Sequence, residues 1–282
     1  QVTSSYSVGV QLDEESRKRV DALNRMVQDL KDLSWRYKSG PSGNGRAVLG
    51  MTNSTGCSSV WGSTYPYNPY PFPWANHLFQ DAPSLAIGIF EGHMRKMADN
   101  FALVRKAELE VEDAYDPAVH DEFFTAFSYE KFTDEEFLLC PPIVAMGGDG
   151  AMFDIGFQTL SRLLASGKPL RVIVLDTQVY SNTGGQACTS GFYGQVSDMA
   201  AYGKAHKGKE EQRKELALIS MAHRTAYVLQ TSQANPAHLI GGVLRGLAAR
   251  RPALFNLYCP CQTEHGIPDD ASEHNAKLPL ES

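Results

Sequence analysis

The chain has 282 residues, 43% of them hydrophobic, enough for one large core or for one domain with an appendage. A formal net charge of −6 argues against nucleic acid or an anionic membrane surface as the main partner, and no apolar run is long enough to span a bilayer. Five cysteines, an odd number without a regular framework, point to a reducing compartment, read as cytoplasmic with no signal peptide in view, rather than to a disulfide scaffold. In chain order, residues 12–36 read as an amphipathic peripheral helix: Leu12, Val20, Leu23, Met26, Val27, Leu30, Leu33 and Trp35 fall near a helical period, with charges between them. Gly40-Pro41-Ser42-Gly43-Asn44-Gly45 is a flexible joint, so 1–45 reads as an extension ahead of a domain at 46–282. Ala47 to Met51 reads as a first strand. The prolines of 63–73 exclude a central strand or helix and suit a rigid loop over a site or against a partner. A long helix follows at 81–106. An acidic, helical stretch at 107–138 reads as a solvated surface, with a docking face for a basic partner as the alternative. Pro142 to Met146 and Leu170 to Leu175 read as strands around a helix at Phe153 to Ser166. Lys204, Lys207 and Lys209 precede a helix expected at 210–222; they either attract an anion or mark a solvated helix start. Thr225 to Leu229 and Ala253 to Tyr258 are further strands, with a helix at Pro236 to Ala249 between them. Strands alternating with helices give the fold class: α/β, a mainly parallel sheet flanked by helices.

The chemistry concentrates in residues 147–186. The first apolar strand leads into Gly147-Gly148-Asp149-Gly150, and the second ends in Asp176-Thr177 and a Gly-rich loop through Gly184-Gly185. This is how an α/β domain holds a divalent cation between a diphosphate and the carboxyl ends of adjacent parallel strands. Mg²⁺ takes hard oxygen ligands and shares them with phosphate. Asp149 offers a carboxylate, Thr177 a hydroxyl, Val179 a carbonyl and Asn182 an amide. A lone Gly-Asp-Gly is an ordinary strand-to-helix turn in many chains; the second element at the end of the next strand is what points to chemistry. The eight histidines are scattered without metal spacing, and neither a Gly-x-Ser-x-Gly nor an ATPase-type phosphate loop is present.

The spacing resembles the thiamine diphosphate motif. More narrowly, Gly147–Gln186, with its Asp-Thr-x-Val-Tyr-Ser-Asn-Thr-Gly-Gly-Gln string at 176–186, is similar to the C-terminal diphosphate-binding domain of the pyruvate:ferredoxin (flavodoxin) oxidoreductases, in the 2-oxoacid:acceptor oxidoreductase family. Asn53 to Gly62, containing Thr55-Gly56-Cys57-Ser58-Ser59, agrees with that family, as do Trp74-Ala75-Asn76, Leu78 to Ala82 and Ala200 to Lys209. The likeness runs over roughly residues 46–266. It implies thiamine diphosphate and Mg²⁺ as cofactors, with Mg²⁺ held by the Asp149 and Thr177 side chains and the Val179 carbonyl. Thr55, Gly56, Cys57, Gly148, Gly150, Ser181, Asn182 and Thr183 would line the cofactor. Asn182 would face the substrate's oxo-acid group and is the catalytic candidate. Cys57 and Cys261 match cysteines that ligate a 4Fe–4S cluster. The implied reaction is oxidative decarboxylation of a 2-oxo acid such as pyruvate. Coenzyme A would take the acyl group, and electrons would pass through the cluster to ferredoxin or flavodoxin.

The pattern departs from the family in two places. No cysteine precedes Cys57, whereas the family has a Cys-x-x-Cys there; the others here are Cys140, Cys188 and Cys259. Cys140 reads as a small hydrophobe, and Cys188 as a fourth ligand, a reactive thiol or a small buried residue. The glutamate that activates the cofactor's aminopyrimidine sits, in the family, on a pyrimidine-binding domain with no counterpart in this sequence. With Gln1 in place of Met, the expectation is a piece of a larger polypeptide, or one subunit of a homo- or hetero-oligomer. Two alternatives stand: a non-oxidative thiamine diphosphate decarboxylase or synthase, and a degenerate module keeping the fold as a scaffold.

Overall fold

In the computed structural model, residues 12–62, 72–77, 80–202, 204–205 and 207–281 are described. Most of the proline-rich stretch at 63–73 lies outside them, as do Leu78, Phe79 and His206. The elements in chain order are α1 (Glu14–Lys38), β1 (Gly50–Ser54), α2 (Cys57–Gly62), β2 (Trp74–His77), α3 (Ala82–Val111), α4 (Pro117–Thr125), α5 (Asp134–Leu139) and β3 (Ile143–Gly148). There follow α6 (Phe157–Ala165), β4 (Arg171–Asp176), β5 (Val179–Tyr180), β6 (Gln186–Ala187), α7 (Leu216–Ala222), β7 (Tyr227–Ser232), α8 (Pro236–Ala248), β8 (Ala253–Tyr258), α9 (Gln262–His265) and α10 (Ser272–Glu281). They form two compact units: the chain up to Ala47 with Gly92–Cys140, and Val48–Glu91 with Pro141–Ser282.

The first unit is helical. Asp13 caps α1 by accepting from Ser16 N at 2.7 Å, and no residue of α1 is fully buried, as a peripheral helix requires. Phe101, Phe123, Phe124, Phe127 and Phe132 form an aromatic cluster. Arg105 lies 4.7 Å over the Phe127 ring and pairs with Glu136. The acidic stretch is thus partly consumed in internal pairing. Cys140 is buried with its thiol on the Glu136 carbonyl, the small-hydrophobe role read from the sequence.

The second unit is a six-stranded parallel sheet in the order β2-β1-β3-β4-β8-β7. Parallel strands covered on both faces read as continuous apolar runs, which is why β3, β4 and β8 show in the sequence as the runs Pro142 to Met146, Leu170 to Leu175 and Ala253 to Tyr258. After β1 the chain moves to the β2 edge; after β3 it moves the other way, to β4. This reversal opens a crevice at the carboxyl ends of β1 and β3, the place where open α/β sheets bind ligands. Ala145 pairs with Val172 and Gly148 with Leu175, so the β3 and β4 ends are immediate neighbours.

Some expectations shift, and one strand, β2, had no expectation behind it. The first strand is Gly50–Ser54 rather than 47–51, because Thr52, Asn53 and Ser54 are fully buried and polar. Their groups are satisfied internally: Thr52 Oγ1 donates to Ala82 O at 3.0 Å and Ser58 Oγ to Asn53 Oδ1 at 2.7 Å. Hydropathy alone misses a polar strand whose side chains find partners. The helix expected from Phe153 begins instead as a π-helical turn, Gly150–Ile155, before α6. The helix expected at 210–222 forms only from Leu216; residues 209–214 are coil whose cations turn inward. β2 follows the proline-rich stretch and carries no apolar run of its own.

Candidate cofactor and metal site

A cavity of about 430 Å³ opens at the carboxyl ends of the strands. Its lining comes from the segments following β1 (Thr55, Gly56, Cys57, Ser58), β2 (Gln80), β3 (Asp149, Gly150, Ala151) and β4 (Thr177, Tyr180, Ser181, Asn182, Thr183), with Gly148 at the end of β3 itself. The segment after β8 adds Cys259, Pro260 and Cys261. Of the residues the resemblance assigned to the cofactor, the cation or a cluster, all line this cavity except Val179, which is 2% exposed.

Asp149 caps the π-helical turn, its Oδ1 accepting from Gly150 N at 2.9 Å. Its Oδ2 accepts from Thr177 N at 3.1 Å, Val179 N at 3.0 Å, Thr177 Oγ1 at 3.2 Å and Ser190 Oγ at 3.1 Å. Thr177 Oγ1 is also 3.0 Å from Val179 O and 2.7 Å from Ser181 Oγ. Oxygens in neighbouring positions of a Mg²⁺ octahedron, with bonds of about 2.1 Å, lie about 3.0 Å apart. Thr177 Oγ1 stands at about that spacing from both Asp149 Oδ2 and Val179 O, and oxygen donors of this kind suit a small hard cation. Asp149 is 4% exposed, and its carboxyl is pushed up to about 7 by burial and by the charge of Asp176.

Sequence reasoning missed the parts that hold this arrangement. Gln178 has φ +64, an uncommon conformation for a non-glycine residue. Its N–H donates to Asp176 Oδ1 at 3.2 Å, and this turn aims Thr177 and Val179 at Asp149. Asp176 Oδ2 accepts from Arg213 at 2.8 Å. Tyr180 donates to Asp154 Oδ2 at 2.8 Å, and its ring occupies the space that a Cβ on Gly150 would need. Gly150 is therefore demanded by this ring; at Gly148 a Cβ would meet nothing nearer than 3.8 Å. Gly184 and Gly185 take φ of +113 and +81, as the Gly-rich loop implied. Gln80 lines the cavity, donating to Thr55 O at 2.6 Å. Ser190 and Arg213 lie on segments with no spacing signal, and only the fold brings them in; Tyr180 sits within the 176–186 string, but its contact with Asp154 does not show in the sequence.

The thiols divide. Cys57, Cys259 and Cys261 line the same cavity, and the Cys57 thiol is pushed up by burial and by the charge of Cys261. Cys259 is pushed up to about 11, first by burial. Cys188 is buried with Sγ 2.9 Å from Ser190 Oγ, pushed up to about 12 by burial and the charge of Asp149. It is a protonated core thiol against Asp149 and does not line the cavity. Among the described residues no three histidine, cysteine or acidic side chains converge on a metal position. All five cysteines are described. A four-thiolate cluster built by this chain alone does not fit. The Lys209 ammonium, read as a candidate anion attractor, is buried on the Gly191 carbonyl at 2.7 Å. No helix among the described residues is long and apolar enough to cross a membrane.

Residues 138–257 match the family described as thiamine pyrophosphate enzyme, C-terminal TPP binding domain. The chain is 29% identical to the probable pyruvate-flavodoxin oxidoreductase of Escherichia coli, over 96% of this chain and 26% of that protein. It is 27% identical to the pyruvate synthase subunit PorB of Methanocaldococcus jannaschii, over 82% of this chain and 67% of that subunit. Among solved structures it shares the fold of a chain of 2-oxoglutarate:ferredoxin oxidoreductase from Magnetococcus marinus, solved with 2-oxoglutarate, coenzyme A and succinyl-CoA bound. The TM-score is 0.53 and the identity 16%, covering 82% of this chain and 60% of that one. The chain spans about a quarter of the length of the first of these relatives.

Proposed function

From the premise that residues 138–257 are a thiamine pyrophosphate-binding domain with pyruvate oxidoreductases and synthases as relatives, we propose that this chain supplies the diphosphate half of a thiamine diphosphate site in a 2-oxoacid oxidoreductase. The observation that carries the reading is the oxygen triad, with Thr177 Oγ1 3.2 Å from Asp149 Oδ2 and 3.0 Å from Val179 O, on neighbouring strand ends. Asp149, Thr177 and Val179 would hold Mg²⁺. Thr55, Gly56, Gly148, Gly150, Ser181 and Thr183 would border the diphosphate and thiazolium, with Cys57 at the edge of that wall. Asn182, exposed at the cavity wall, would orient the substrate carboxylate or oxo group by its amide. When bound, the cofactor supplies the electron sink for cleavage next to the carbonyl of a 2-oxo acid. The chain's own residues bind, orient and exclude water. The apolar wall of Ile155, Leu175 and Ala151 lowers the local polarity, which strengthens every polar contact made there.

The partners proposed with this reading are a pyrimidine-binding domain on another segment or subunit, coenzyme A, and ferredoxin or flavodoxin. A second reading, a non-oxidative decarboxylase or synthase, is favoured by one observation: only three of the five thiols line the cavity. Iron and labile-sulfide analysis of the complex with its partner segment or subunit, which would supply the missing thiolates, separates the two, since stoichiometric iron and sulfide there excludes the second. Calorimetry tests the common premise. Thiamine diphosphate should bind in the presence of Mg²⁺ and lose measurable binding on chelation or in Asp149→Ala; unchanged affinity in that variant refutes the assignment.

A further inference from the structure

The coil Lys209–Lys214 turns three cations towards the site instead of towards water. Lys209 donates through Nζ to Gly191 O at 2.7 Å and to Glu211 O at 3.2 Å. Arg213 bonds Asp176 Oδ2 at 2.8 Å. The Lys214 ammonium reaches the Phe153 carbonyl on the π-helical turn and lies 4.4 Å over the Phe157 ring, while its backbone N–H donates to Thr189 O at 2.8 Å. One short segment thus fastens the turn after β3, the turn after β4 and the loop at 189–191 that carries Ser190 onto Asp149. The decisive link is Asp176. One carboxylate oxygen takes Arg213, and the other takes the N–H of Gln178 at 3.2 Å, the residue with φ +64 between Thr177 and Val179.

We propose that this strap, through the Arg213–Asp176 pair, is a positioning device that holds Thr177 and Val179 in the metal-ligating turn. The proposal rests on the reading of the site as a Mg²⁺–diphosphate site. Two effects of Arg213 oppose each other. Its charge repels an incoming cation, so electrostatics alone predicts that removing it tightens metal binding. Its hydrogen bond fixes Asp176 and hence the turn, and loss of a group that orients metal ligands typically weakens binding by about 10–100-fold. The two views differ in sign, and a merely structural role would lower the unfolding midpoint without moving metal affinity.

The test is a Mn²⁺ titration of the purified protein with thiamine diphosphate present, followed by the electron paramagnetic resonance signal of free Mn²⁺. It compares wild type, Arg213→Met and Arg213→Lys, with circular dichroism as the check on folding. Weakening of about 10–100-fold is expected in Arg213→Met. A smaller loss is expected in Arg213→Lys, which keeps the charge but shortens the reach. Equal or tighter Mn²⁺ binding in a folded Arg213→Met overturns the proposal. Should that variant not fold, wild-type affinity in Arg213→Lys overturns it equally. A wild-type protein that binds no Mn²⁺ overturns the site reading itself.

Discussion

Asp149 is surrounded by donors, yet its carboxyl is pushed up to about 7, because burial and the charge of Asp176 oppose ionisation more than those hydrogen bonds favour it. The ordinary value is 3.8, so over the window from about pH 4 to about 7 the unfolded chain ionises this group while the folded one keeps its proton. The metal-free protein therefore loses stability from this group as pH rises through that window. Mg²⁺ competes with the same proton. Affinity for Mg²⁺ with thiamine diphosphate should fall about tenfold per pH unit below 7, as calorimetry across pH 5.5–8 would show; a flat profile contradicts the buried-carboxylate account. At Gly150, alanine would drive a methyl group into the Tyr180 ring and disturb its bond to Asp154. Gly150→Ala should cost about 1–3 kcal/mol in denaturant unfolding and weaken cofactor binding as well. Gly148→Ala should leave the fold intact, there being no atom nearer than 3.8 Å to resist it. Asp149, Thr177 and Val179 were legible as neighbours because they directly follow two consecutive apolar strands. Ser190 and Arg213 were not, because neither residue type nor spacing marks them until the chain folds back.

At the scale of elements, strands that are apolar throughout were legible and those that solve burial by hydrogen bonding were not. β1 carries Thr52, Asn53 and Ser54 at 0% exposure. α8 was legible as a helix, but its seam was not: Gly242 and Gly246 let it approach the sheet so closely that a Cβ on Gly242 would lie 2.6 Å from a Leu229 methyl. The π-helical turn after Asp149 has no sequence signature, although such turns concentrate at functional sites. Arg171, the one charged residue in the β4 run before Asp176, is fully buried. Its guanidinium donates to Arg251 O at 3.0 Å, Leu247 O at 2.8 Å and Ala249 O at 2.6 Å, closing the end of α8. Arg171→Met leaves these carbonyls without that donor and should lower unfolding free energy by about 3 kcal/mol in denaturant titrations. Being at the amino end of β4, away from the cavity, it should leave cofactor affinity unchanged. Loss of binding with unaltered stability would contradict this division between strand starts that stabilise and strand ends that bind.

For the whole molecule, the α/β class followed from strand–helix alternation, and a cavity lies where the motif at two strand ends pointed. The division into two compact units did not follow, since one of them joins the N-terminal segment to residues 92–140, far along the chain. A site that binds only the folded state stabilises it by mass action, so Mg²⁺ with thiamine diphosphate should raise the melting temperature in a concentration-dependent way, and neither alone should do so to the same extent. The most direct measurement is the anomalous diffraction of crystals grown with Mn²⁺ and thiamine diphosphate. The account predicts a Mn²⁺ peak at about 2.2 Å from the Asp149 carboxylate, Thr177 Oγ1 and Val179 O, with the diphosphate completing the shell. A peak bound elsewhere, or a diphosphate seated away from these two strand ends, would contradict it.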